Sequence, residues 1–225
     1  MKKFVFPDAS IILSGILGGL YSSTATTIIL AKKSRKEPQH LNQYMAGIIF
    51  ATALMYLRIL ILIAIFSQEL FVRVWPYFLS LFILTMIIGM VILFFRNRLV
   101  STSDQELQVD KNPLEFKVAL LFAALYVAFS FITYGVLDRF GTPGLNVLSY
   151  IVGLSDIDPF LINLFQGKFA VNVDSVMMAT FQAIISNNAL KMLYGGFFAG
   201  KRAQIYLVPA FFLIIALTIG VLFIV

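Results

Sequence analysis

Seven apolar segments, each about as long as a bilayer is thick, limit this chain more than anything else in its sequence. They cover 10–31, 44–66, 74–95, 115–137, 145–166, 175–198 and 205–225. About 20 apolar residues in a helix cross a hydrocarbon core of about 30 Å. Backbone polar groups in lipid find partners only inside the protein, so the segments are expected to be helices. The expected fold is all-α: a polytopic integral membrane bundle of about seven transmembrane helices in a lipid bilayer. Composition agrees, since 60% of the 225 residues are hydrophobic and only 12% are charged. Soluble domains carry about 25% charged residues. The 23 Phe also exclude a disordered chain.

A formal charge of +6 would suggest nucleic acid in a soluble protein, but here the basic residues sit in short loops between spans, so no nucleic-acid partner is expected. Without cysteine, the chain has no disulfide, thiolate metal site or cysteine nucleophile. His40 reads as a solvated loop residue. The first apolar run is too long for a signal-peptide core, and Lys32 and Lys33 follow it, so it stays as a span. The longest connector, 96–114, is polar, and its Asn112-Pro113 is expected to open the fourth helix. Loops 32–43, 96–117 and 167–174 carry nine Lys and Arg, against six on the other side including Lys2 and Lys3. The richer set is expected to face the cytoplasm, which puts the N-terminus outside. No segment forms a soluble domain, so 1–225 is one membrane domain.

The chain repeats itself. Gly19-Leu20 and Gly153-Leu154 each open a polar stretch, and Arg58 and Lys191 are each a lone basic residue in the next apolar span. Repeat one is then 10–95 and repeat two 145–225, with 115–137 connecting them. A shift of four spans preserves direction, so parallel repeats are expected; a re-entrant polar segment would make them inverted.

Arg58, Asp156, Asp158 and Lys191 lie inside spans, where each costs about 2.5–3.5 kcal/mol on the insertion scale. Arg58 and Lys191 are the economical partners of the two acids. On an intact helix, Asp156 and Asp158 would face nearly opposite ways. Pro159 lacks an N–H and would free the carbonyl of Ser155, favouring a break there. Gly18 and Gly19 precede the hydroxyls Ser22, Ser23 and Thr24 in the same way. Broken helices with carboxylates and freed carbonyls are a means of ion binding in transporters. The candidate site is therefore Ser22, Ser23, Thr24, Asp156, Asp158, Asn187 and Asn188, with Arg58 and Lys191 as charge partners. Asp156 and Asp158 are the candidate metal ligands, and all-oxygen donors suit a hard cation such as Mg2+ or Na+. Ser22 to Thr27 also read as small residues that permit close helix packing, Asn187 and Asn188 as interhelical hydrogen-bond formers, and the charges as structural ion pairs.

The string Gly18-Gly19-Leu20-Tyr21-Ser22-Ser23-Thr24-Ala25-Thr26-Thr27, with Met55-Tyr56-Leu57-Arg58, Asn112-Pro113, Gly153 to Asp158 and Ser186 to Lys191, resembles one bacterial membrane domain. It is the uncharacterised domain usually found C-terminal to the MgtC/SapB domain. The resemblance covers nearly the whole chain but lacks that family's first helix. It implies a multi-pass protein of the bacterial inner membrane, with a link to magnesium or ion homeostasis by association, and transfers no catalytic residue. Either the sequence is a fragment of a longer protein, or a homodimer or a partner chain would supply the missing helix. The expected function is an inorganic-ion transporter or channel module with a midplane polar site between the repeats. The alternative is a non-transporting membrane protein that regulates or completes another complex. No nucleophile–base pair or phosphate loop appears, so no enzyme is expected.

Overall fold

The computed structural model describes residues 7–94 and 115–224. These form seven α-helices: α1 (Pro7–Lys36), α2 (Leu41–Phe66), α3 (Gln68–Phe94), α4 (Glu115–Val152), α5 (Asp158–Phe165), α6 (Val173–Phe198) and α7 (Lys201–Ile224), with a single 3-10 turn at Pro38–His40. Among the described residues there is no strand. The connector 96–114 with Asn112-Pro113, and Lys2 and Lys3, lie outside the described residues. The protein is an all-α helical membrane protein.

Among the described residues, five stretches are long and apolar enough to cross a membrane: Ile11–Lys36, Pro38–Phe66, Gln68–Phe94, Leu120–Val152 and Lys201–Ile224. Seven were expected, and the two differences have local causes. The expected span 145–166 divides into the end of α4, an irregular stretch, and the eight-residue α5. Helix α6 has 26 residues, but Gln182, Ser186, Asn187, Asn188 and Lys191 dilute its apolar content.

Nor is α1 a straight rod. Ser22 has extended backbone angles (φ −156°, ψ 108°) in the middle of it. A Cβ added at Gly18 would fall 2.5 Å from Thr26 Oγ1. Eight residues of straight helix would separate those positions by about 12 Å. The chain therefore turns back at Ser22, giving half-helices 7–21 and 23–36 instead of the single span expected over 10–31. Residues from both halves meet α2 at one level. A Cβ at Gly47 would touch Leu30 Cδ1 at 3.0 Å, while one at Gly15 would meet Gly47 Cα at 2.6 Å. Ile11, Gly15 and Gly19 are buried one turn apart, and a Cβ at Gly19 would lie 2.5 Å from Ala51 Cα. Contacts 15–47 and 19–51 advance together, so the first half-helix runs parallel to α2. Small residues on both helices allow this approach.

A second reversal lies within α4. Gly141 adopts φ 59°, ψ −151°, a conformation open to glycine and costly for other residues. Beyond it, a Cβ at Gly144 would fall 2.8 Å from Val136 Cγ1, eight residues back.

The helices pack as two compact units. Unit one holds α1, α2 as far as Arg58, α3 from Phe78, and 191–216. At its centre, residues 43–53 of α2 are buried on every side, the pattern of a helix enclosed by protein. Phe50 packs over Gly89, and Tyr56 meets Phe78 edge-on at 6.4 Å. The end of α1 lies beside the end of α6, with Lys32 Nζ 4.6 Å from the Phe198 ring centre. That contact corrects the expected sidedness, which placed Lys201 across the membrane from Lys32. His40 is buried, not solvated, because its N–H closes a turn onto Glu37 O (3.2 Å) and folds the 3-10 turn inward.

Unit two holds 59–77, α4, α5, α6 as far as Leu190, and the end of α7. Its enclosed helix is α6, buried throughout 179–188. Phe129 of α4 meets Phe160 of α5 edge-on at 6.2 Å, and one turn away Asn163 Nδ2 donates to Tyr126 O at 2.9 Å. Arg73, near the start of α3, joins Asp174, at the start of α6, at 2.5 Å. This is a second correction, since the loop before Asp174 was expected on the side opposite Arg73.

Candidate functional site

Turning back at Ser22 strips Leu20 and Tyr21 of the N–H groups that a continuing helix would offer their carbonyls. Arg58, one residue before the unit boundary in α2, fills the gap: its Nη1 donates to Leu20 O at 3.2 Å and to Tyr21 O at 2.9 Å. A cation at the carbonyl end of a helix is favoured by the helix dipole, and bonds from a charged donor contribute about 1.5–3 kcal/mol each. On the other side of the turn, Ser22 Oγ accepts the N–H of Ala25 at 3.3 Å and caps the second half-helix. Thr27 Oγ1 donates to Ser23 O at 2.8 Å. Ser23 is buried and Thr24 half-buried. In the same unit, Lys191 is wholly buried, with Nζ 3.0 Å from Met55 Sδ.

Unit two has a break of similar design. The helix of α4 ends at Val152, and α5 begins at Asp158. A Cβ at Gly153 would fall 2.6 Å from Ala183 O, so only glycine lets this backbone lie so close to α6. Ser186 Oγ then donates to Tyr150 O at 2.7 Å. Asn187 Nδ2 donates to Gly153 O at 3.2 Å and to Ser155 O at 3.3 Å. The Ser155 carbonyl is the one that Pro159 was expected to free, and Asn187 satisfies it. Asp156 is exposed, and its Oδ1 accepts the N–H of Asp158 at 3.3 Å; Asp158 is half-buried in the first turn of α5. Carboxylates are favoured at that end of a helix.

The candidate residues thus fall into two groups. Ser22, Ser23, Thr24, Arg58 and Lys191 belong to unit one, and Asp156, Asp158, Asn187 and Asn188 to unit two. Within unit one, Ser22 and Arg58 secure the two sides of the same turn. Within unit two, Asp156, Asp158 and Asn187 gather at the 153–158 break. Asn187 acts there through its nitrogen as a donor. Among the described residues, no three His, Asp or Glu are grouped to hold a metal ion. Sequence reasoning missed the carbonyls of Leu20 and Tyr21 and the contacts of Gly15 and Gly47. The four-residue spacing of Ile11, Gly15 and Gly19 was the available signal.

Comparison with known proteins adds a family. A model described as "Domain of unknown function (DUF4010)" matches residues 1–199. An uncharacterized protein of Aquifex aeolicus (strain VF5) is 28% identical over 218 residues, which cover 95% of this chain and 94% of the relative. No solved structure matches. With most of its length matched, the chain belongs to the DUF4010 family.

Proposed function

We propose that this protein moves a small inorganic cation, of the Mg2+ or Na+ kind, across a bacterial inner membrane, and that its two helix breaks are the elements that handle the ion. The observation that carries this reading is the reversal of α1 at Ser22, inside an apolar segment. Irregular backbone at membrane depth is tolerated where protein buries it or where it lines a cavity. Broken helices near the midplane are a recurrent feature of transporters. The link to the MgtC/SapB domain, and a second copy or partner chain completing the assembly, belong to the same proposal. No residue is assigned a catalytic role.

Topology follows from the same reversal. A re-entrant α1 has both ends on one side, so the repeats become inverted instead of parallel. Lys2, Lys3, Lys201 and Arg202 then join the side of Lys32, and Lys168 leaves it. The sequence count of Lys and Arg becomes twelve against three, with Arg58 and Lys191 within the spans. The side with twelve is the cytoplasmic one.

The test is ion flux into proteoliposomes, screening Mg2+, other divalent ions, Na+, K+ and protons. Flux is expected in the wild type and altered flux or selectivity in the folded Asp156→Asn/Asp158→Asn double variant. Unchanged flux in that variant removes the carboxylates from the pathway. Absence of flux for every ion favours the second reading, a membrane partner of another complex. The apolar exposure of α4, where Phe131 is 75% and Tyr134 66% exposed, is the feature that supports it.

A further inference from the structure

The two breaks solve one chemical problem with different groups. Each leaves two carbonyl oxygens that a side chain from a neighbouring helix must satisfy. In unit two, the neutral amide of Asn187 does this for Gly153 and Ser155. In unit one, Arg58 Nη1 does it for Leu20 and Tyr21. Both breaks are thus filled by a donor from a later helix, neutral in one and charged in the other. Yet unit one places a permanent cation inside a span, at an insertion cost that an amide largely avoids. Carbonyls at the end of a half-helix present negative partial charge, and in broken-helix transporters such ends coordinate cations.

We propose that Arg58 is a tethered cation. Its guanidinium occupies a cation-accepting carbonyl pair, Leu20 and Tyr21, and so holds the α1 hairpin against α2 as a fixed element. The pair is a binding site in its own right for hydrogen-bond-donating cations of the guanidinium class, filled from within by the chain's own side chain. Arg58 has this part whether or not the protein transports an ion.

Truncation exposes the site to an external probe. Arg58→Ala is expected to lower Tm, and methylguanidinium is expected to raise it again, with a shift that grows with the logarithm of probe concentration once the site is near saturation. Sodium chloride at matched ionic strength should not reproduce the recovery. Asn187→Ala serves as the control, because it is destabilised at a neutral cap and should gain nothing from methylguanidinium. An Arg58→Ala protein with wild-type Tm overturns the proposal, and so does recovery that sodium chloride matches or that Asn187→Ala shares. If Arg58→Ala does not fold, Arg58→Lys and Arg58→Gln decide: the charged Lys variant should melt higher than the neutral Gln variant, and the reverse order overturns the proposal. Each readout is a melting temperature, so a failure to find ion flux leaves this test intact.

Discussion

Replacing Gly15 with alanine tests the folded-back α1 most directly. The added Cβ would lie 2.6 Å from Gly47 Cα, 2.8 Å from Gly47 O and 3.0 Å from Gly47 C. All three are backbone atoms, so no side chain can swing aside. Ordinary carbon contacts lie at about 3.5–4.0 Å, so the half-helix must move away from α2 by roughly 1 Å. Overpacking of this kind costs about 1–3 kcal/mol, and alanine returns about 0.5–1 kcal/mol as the better helix former. The expected net loss is about 1–2 kcal/mol, a fall in Tm of roughly 2–8 °C for a chain of this size. Gly196→Ala is the companion variant. Nothing lies within 4 Å of its Cβ, so it keeps the propensity gain without the clash and should melt slightly above wild type. Thermal melting of the purified protein in detergent measures both. If Gly15→Ala melts with or above Gly196→Ala, the first half-helix does not lie along α2, and the reversal at Ser22 is refuted with it.

The chain has no cysteine, so single Cys substitutions report topology without background. A membrane-impermeant maleimide should label Lys36→Cys and Arg202→Cys from one side and Ser67→Cys and Lys168→Cys from the other, and labelling of Lys36→Cys and Arg202→Cys from opposite sides rejects the inverted arrangement. At the second break, Asn187→Ala strands the carbonyls of Gly153 and Ser155, at about 1–3 kcal/mol for a lost buried partner. Asn187→Asp should melt lower still, because it turns a carboxylate toward two carbonyl oxygens; an Asp variant as stable as wild type shows that the amide nitrogen is not the group in use.

The helical class was legible because apolar runs of this length have few other solutions. The break after Val152 was legible too, since Pro159 removes a particular N–H and a particular carbonyl must find another donor. The reversal at Ser22 was half legible. Gly18 and Gly19 before a run of hydroxyls signalled irregular backbone, but a hydropathy window gives one value to a straight span and to two half-helices lying side by side. Direction was lost at that point, and the sidedness of Lys201 and Lys168 was lost with it. Asn187 and Arg58 illustrate a different limit. A polar residue inside a span announces that it needs a partner, but its identity does not say which atom will be used. Both donate to backbone carbonyls made available by a break elsewhere in the chain.

Those long-range caps bear on how the protein is made. Arg58 reaches back 38 residues to Leu20, and Asn187 reaches back 34 to Gly153. Each half-helix of α1 has about 15 residues and rises only about 22 Å, too short to settle across a bilayer alone. During synthesis, the first hairpin must therefore wait, unsecured, until most of α2 has emerged. The stretch after Val152 waits in the same way for α6. Each repeat is thus completed backwards, with the later helix fixing the earlier one, and a chain stalled before Arg58 would hold a hairpin with nothing to fasten it.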